Sequence, residues 1–181
     1  MRLYTFVNFY LSSIQQGIQS AHLVHELFNK YRHIDPSDDI DSCYQTDLRK
    51  MQLREWSENH KTMIVLNGGI DETLNELYQF MNTDENPFPF TCFHEDHQSL
   101  HGIMTCVGIV LPEYIYETAE KIRSREWIFV QLPDIKFGWS HVTRESPAQP
   151  DGNGIITNTG YVYTQFEVDL INRMNQCSLA R

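Results

Sequence analysis

Basic residues are scarce: Lys and Arg number 14 against 24 Asp and Glu, for a net charge of −10 over 181 residues. A large nucleic-acid footprint needs clustered cations for counterion release, so any contact with nucleic acid is expected to be local. Cysteine is also sparse. The four cysteines, Cys43, Cys92, Cys106 and Cys177, lack CxxC spacing. Cys92 and Cys106 lie inside apolar, strand-like runs where thiols pack as small hydrophobes, and a reducing cytosol fits this pattern. No apolar run approaches the roughly 18 residues of a membrane span, and the N-terminus carries no charged-then-apolar signal pattern. A soluble cytoplasmic protein with no membrane partner is expected. Internal repeats and low-complexity tracts are missing as well.

The chain does have apolar content, 41% of its residues, enough for one substantial core at this length. Its organising stretch runs from Asn8 to Tyr31, NFYLSSIQQGIQSAHLVHELFNKY. Before it, Leu3, Thr5, Val7 and Phe9 alternate with Tyr4, Phe6, Asn8 and Tyr10, as in a strand packed on both faces. Ser13 with Gln16 three residues on has the form of a capping box, which predicts a helix start there. Ile14, Ile18, Ala21, Val24, Phe28 and Tyr31 recur at helical spacing as a predicted buried face, with Gln15, Gln19, His22 and Glu26 as a polar stripe. A strand running into a helix places unpaired N–H groups and the positive helix end at the carboxyl edge of a sheet, where an anion or carbonyl is favoured. Tyr10, Ser12, Ser13, Gln15 and Gln19 would line that spot. The alternative is that Gln15 and Gln19 are solvated helix surface.

Further along, residues 33–42 read as an Asp-rich loop, and 44–59 as a helix with Leu48, Met51, Leu53 and Trp56 on its apolar side. KTMIVLN, from Lys61 to Asn67, is a buried and central strand by its continuous apolar character, stopped by Gly68-Gly69. Asp71 is expected to cap a helix reaching Met81. Phe90 to Phe93 and Ile103 to Leu111 read as strands, and Glu113 to Arg123 as a helix. The order βααβαββα predicts an α/β fold: a single domain, residues 1–124, with a four-stranded mixed β-sheet flanked by helices on both faces. Residues 125–181 form a C-terminal extension, with an amphipathic helix predicted between Thr164 and Cys177. Trp127, Phe129, Phe137 and Trp139 predict that the extension packs on the core or on a homodimer or protein partner. Between the last two strands lies HEDHQSLHG. His94, His97 and His101 with Glu95 and Asp96 could hold a divalent ion, but their spacing matches no standard signature, and a polar surface loop is the alternative.

Four motifs in register resemble the archaeal and eukaryotic type of peptidyl-tRNA hydrolase, a family that also occurs in bacteriophage genomes. GIQSAH, Gly17 to His22, is similar to that family's AAQCAH helix start, and LREW, Leu53 to Trp56, to its LxxW. KTMIVLNGGIDETLNEL resembles its strand and DEETL-type helix, and HQSLHGIMTCVGI its TQIxPGSxTVLGI segment. The match covers roughly Leu3 to Arg123. The resemblance implies hydrolysis of the ester joining a peptide to tRNA, with neither metal nor cofactor. The family's two helix-leading lysines fall on Ser13 and Gln15, its aspartate on Phe93 with Glu95 and Asp96 close by, and its threonine on His97. The resemblance implies a pocket between the first helix turn and the HEDH loop. There His97 or Asp96 would be the general base, with Glu95 and His22 as further catalytic candidates and the N–H groups of Ser13 and Ile14 as oxyanion donors. Asn8, Tyr10, Ser12, Ser13, Gln15, Gln19, Gln98 and Thr105 would bind the ligand. The expected function is an esterase acting on a tRNA- or nucleotide-bearing ester. The alternative is a non-catalytic protein that sequesters a nucleotide-type signal or docks on a partner, as a phage counter-defence protein would.

Overall fold

The computed structural model describes residues 1–32, 40–96, 98, 101–123 and 163–180. The chain divides into two compact units, Met1–Pro112 with Cys177–Arg181, and Glu113–Gln176. In the first unit β1 (Arg2–Asn8) leads into α1 (Ser13–Arg32), followed by α2 (Ile40–Glu55), a π-helical turn (Trp56–His60), β2 (Met63–Gly69), α3 (Asp71–Met81), β3 (Phe90–His94) and β4 (Met104–Leu111). The strands form one sheet in the order β2-β1-β4-β3. β1 runs parallel to β2 and antiparallel to β4, and β4 runs antiparallel to β3. The expected α/β architecture with a mixed four-stranded sheet is the observed one.

Sheet alternation explains the two layers. Leu3 and Val7 of β1 join Cys106 and Val110 of β4, and α1, α2 and the π-helical turn cover them with Leu23, Leu27, Tyr31, Leu53 and Trp56. On the opposite face Phe6 meets α3, and a Cβ on Gly68 would collide with Leu74. Helices therefore flank the sheet on both sides. Gly108 of β4 is required for a similar reason, because a Cβ there would strike the Leu23 side chain. α1 sits close to the sheet at that point.

This close approach sets the rotation of α1, which differs from the periodicity expectation. Gln16, Gln19, Ser20, Leu23, Leu27 and Tyr31 are buried, whereas Ile14 is 76% and Ile18 48% exposed, with Phe28 also exposed. The buried stripe has the same 3.6-residue spacing as the expected one and shares Tyr31 with it but begins with polar residues, of which Gln19 and Ser20 have partners in the sheet. Thr5 of β1, for example, hydrogen-bonds Ser20 at 3.1 Å. Val7 and Leu3 then take Leu23 and Leu27.

β2 is an edge strand rather than a central one. Its free edge is covered by the chain's C-terminal segment: Asn67 N–H donates to Ser178 O at 2.8 Å and Ala180 N–H to Val65 O at 3.0 Å. The cover keeps the strand's backbone groups paired, but of Met63 to Asn67 only Leu66 is buried, so the strand is not the buried one its continuous apolar run predicts. Asp71 does not cap α3; its carboxylate accepts the Met104 N–H at 2.8 Å, and Thr73 Oγ1 accepts the N–H of Ile70, the residue before the helix.

The second unit contains α4 (Glu113–Arg123) and α5 (Gln165–Gln176). Thr164 and Glu167 form a capping box, with Thr164 N–H donating to Glu167 Oε2 at 2.8 Å and Glu167 N–H to Thr164 Oγ1 at 3.2 Å. The other Glu167 oxygen accepts the Tyr114 hydroxyl at 2.6 Å. Trp127, Phe129, Phe137 and Trp139 lie outside the described residues. No helix among the described residues is long and apolar enough to cross a membrane.

Candidate functional site

The carboxyl end of β1, the first turns of α1, the end of β3 and the start of β4 meet at one edge of the sheet. Two irregularities shape that edge. Gly68 is an extra residue in β2 opposite Val7 and Asn8, and Thr105 is an extra residue in β4 opposite Phe93 and His94. A bulge re-aims a side chain that strict alternation would send to the other face. Thr105 can thus face α1 as Cys106 does.

A line of polar groups results. Thr105 Oγ1 donates to Gln19 Oε1 at 3.2 Å, and Gln19 Nε2 donates to Glu95 Oε1 at 2.5 Å. Thr105 and Gln19 are buried, with Gln19 6% exposed, so their side-chain positions are set by packing as well as by hydrogen bonds. Glu95 is half-buried on the residue after β3, and its own N–H donates to Ile103 O at 3.0 Å. Glu95 Oε2 has no hydrogen-bond partner among the described residues. An oriented carboxylate with one oxygen held and one available is the arrangement a general base requires.

The other expected site residues fall around this line. His22, one turn beyond Gln19 on α1, stacks on Phe93 with ring centroids 4.7 Å apart and planes 10° from parallel. Asp96 Oδ1 accepts the Gln98 N–H at 2.8 Å, which makes that pair a local turn. His94 Nδ1 lies 3.0 Å from Gly102 O. His101 adopts a left-handed backbone with φ 55°. Among the described residues no group of three metal-ligating side chains converges. His97 lies outside the described residues.

The strand-to-helix turn differs from expectation by one residue. Ser12, rather than Ser13, caps α1, and its partner is Gln15 rather than Gln16. Ser12 N–H and Oγ both donate to Gln15 Oε1, at 3.0 and 2.9 Å. Gln16 instead turns back, donating its amide to Leu11 O at 3.1 Å. Ser12 is the cap because its carbonyl accepts the first helical bond, from the Gln16 N–H at 2.8 Å. Gln15 is thereby committed to the cap. Asn8 is buried and its Oδ1 accepts the Tyr10 N–H at 3.1 Å. Tyr10 itself is 76% exposed and packs on Phe9, with ring centroids 4.0 Å apart. The N–H groups of Ser13 and Ile14 have no acceptor among the described residues, as expected for a first helical turn.

A cleft of about 360 Å³ lies elsewhere, lined by Phe28, Tyr31, Leu53 and the charged rim of Lys50, Arg54 and Glu58. It falls between the later turns of α1 and α2. Glu95, Gln19 and Thr105 are separate candidates in the sequence, whereas Phe93 as the partner of His22 is not among its expectations. The aromatic residue at β3's end beside a histidine-bearing helix was the available signal. No protein-family model matches the chain, and no curated protein is significantly similar to it.

Proposed function

We propose that the protein is a carboxylic-ester hydrolase of the peptidyl-tRNA hydrolase type, acting on a tRNA- or nucleotide-bearing ester with Glu95 as general base. The observation that carries this reading is the Thr105–Gln19–Glu95 line at the second turn of α1. Glu95 Oε2 takes a proton from water as the water oxygen attacks the ester carbonyl. The carbonyl electron pair moves to oxygen, and the Ser13 and Ile14 N–H groups at the positive end of α1 stabilise that oxyanion. Collapse of the tetrahedral species expels the alcohol oxygen, which recovers the proton from the Glu95 carboxyl. His22, fixed against Phe93, stands one turn further along α1 to contact the substrate.

A second reading, a binding protein that captures a nucleotide-type ligand without turnover, is favoured by a different observation. Phe9, Tyr10, Ile14 and Ile18 are exposed together at the strand-to-helix turn, and Ser13 and Gln15 stand where the related turn carries lysines. Such apolar groups suit stacking on a base more than polarising a carbonyl. Incubation with purified peptidyl-tRNA and with simple nucleotide esters separates the two. The hydrolase reading expects turnover that falls by about 10²-fold or more in Glu95→Gln, with the fold unchanged by circular dichroism. Wild-type protein that binds these compounds in calorimetry but never cleaves them would establish the second reading and end the first.

A further inference from the structure

Lys30 lies about 16 Å beyond Gln19 along the axis of α1, where α1, α2 and the start of β3 converge on one aromatic ring. Lys30 Nζ donates to Phe90 O at 3.0 Å and sits 3.6 Å from the centroid of the Phe90 ring. From α2, Arg49 brings its guanidinium carbon to 5.8 Å from the same centroid. One Arg49 Nη donates to Asn86 O, while its Nε is buried and has no acceptor. Both cations thus cover one ring, a favourable contact for each separately but a like-charge pair together.

Among the described residues this pair has no anionic partner. The ion pairs among the described residues join Lys50 to Asp47, Arg54 to Glu58 and His60 to Glu55. None involves Lys30 or Arg49. Glu26, one turn before Lys30 on α1, acts on the Cys92 thiol of β3 and makes no ion pair with either cation. Burial first, and then the Arg49 charge, lower the Lys30 amine to about 8, with the Cys92 thiol opposing slightly. Two half-buried cations that, among the described residues, hydrogen-bond only to carbonyls are the costly arrangement that a bound anion relieves.

We propose that Lys30 and Arg49 form a binding site for a phosphate group, with the Lys30 ammonium and the Arg49 Nε hydrogen as its donors. A phosphate dianion balances both charges and offers oxygens to an ammonium and a guanidinium at once; a carboxylate balances only one. The site shares no residue with the Glu95 line and does not depend on the hydrolase reading.

Acetylation of the full chain by an activated acetate ester at pH 8 tests it, with modification at Lys30 and at exposed Lys61 quantified by peptide mass spectrometry. Inorganic phosphate is expected to slow Lys30 labelling several-fold and saturably, leaving Lys61 unaffected. Sodium chloride at matched ionic strength, and acetate, are expected to give no such protection. Arg49→Gln should abolish the protection. Arg49→Lys, which keeps the charge but removes the Nε hydrogen, should move its midpoint to several-fold higher phosphate, and it serves as the test if Arg49→Gln does not fold. The proposal is overturned by absence of Lys30-specific protection at tens of millimolar phosphate, by equal protection from chloride or acetate, or by a midpoint that neither substitution moves.

Discussion

Glu95 has two carboxylate oxygens, and only one is held by Gln19. In the proposed reaction Gln19 is a positioning residue, so Gln19→Leu, of similar volume, leaves Glu95 in place chemically but without its tether. The expected result is a fall in kcat of about tenfold or more with KM nearly unchanged, since the amide touches Glu95 and not the substrate. An equal loss on KM would mean that Gln19 contacts the ligand instead. Lys30 makes a separate residue-scale prediction. Its amine titrates at about 8 in the folded chain against an ordinary value of 10.5. Below about pH 8 it is charged whether folded or unfolded, and folding bears the full cost of burying an ammonium beside Arg49. Between these values the unfolded chain binds more protons than the folded one, so stability gains with rising pH, and above 10.5 the cost is gone. Tyr31, Tyr78 and Cys92, packed around it, are all raised mainly by burial and pull the opposite way as they ionise. The comparison must therefore be with Lys30→Met. The melting temperature of wild type minus that of Lys30→Met is expected to increase from pH 7 to pH 10, and a flat or falling difference would contradict the assigned shift.

At the scale of elements, the two edges of the sheet are closed by different devices. β2 is covered by backbone from residues 178–180, whereas β3 is closed by a side chain. The Tyr31 hydroxyl accepts the Phe90 N–H at 3.0 Å and donates to Phe90 O at 3.2 Å, imitating one rung of a neighbouring strand. Tyr31→Phe leaves that buried N–H without an acceptor and is expected to destabilise the first unit by about 1–3 kcal/mol. Hydrogen exchange at the Phe90 amide should accelerate while that of Phe6, in the middle of the sheet, follows only the global change. Element identity is legible in the sequence because the runs at 3–8, 63–67 and 104–111 are too continuously apolar for anything but sheet strands, although at 63–67 only Leu66 is buried. Helix rotation was not. α1 carries two stripes at the same spacing, one through Ile14, Ile18 and Phe28 and one through Gln16, Ser20, Leu23, Leu27 and Tyr31. The choice between them is made by Thr5 and Gly108 in the sheet, which α1's own sequence does not contain. The same gap hid the site's connectivity, because the Thr105 bulge depends on pairing with β3. Lys30 and Arg49 carry no signal in the sequence because only the packing of three elements around Phe90 brings them together.

Across the whole molecule, the net charge of −10 constrains how a tRNA-sized ligand could be held. A nucleic-acid partner meets overall repulsion, so its attachment must rest on few cations and on neutral contacts such as stacking on Phe9 and Tyr10. Counterion release gives a slope of log K against log salt of roughly −0.7 per phosphate neutralised on a single strand. With Lys30 and Arg49 as a neighbouring cation pair, the expected magnitude is below about 1.5, a shallow dependence for a protein that binds RNA. Association should also respond with the opposite sign to that of a basic RNA binder. Screening of the acidic surface is expected to raise the association rate constant between about 20 and 200 mM salt, as the Debye length shortens. Stopped-flow fluorescence with a labelled peptidyl-tRNA and a labelled mononucleotide ester reads both quantities. The mononucleotide, with little charge to repel, should show the smaller rate change of the two. A steep salt slope together with an association rate that falls as salt rises would require a clustered basic surface, and would remove the acidic balance of this chain as a guide to its ligand.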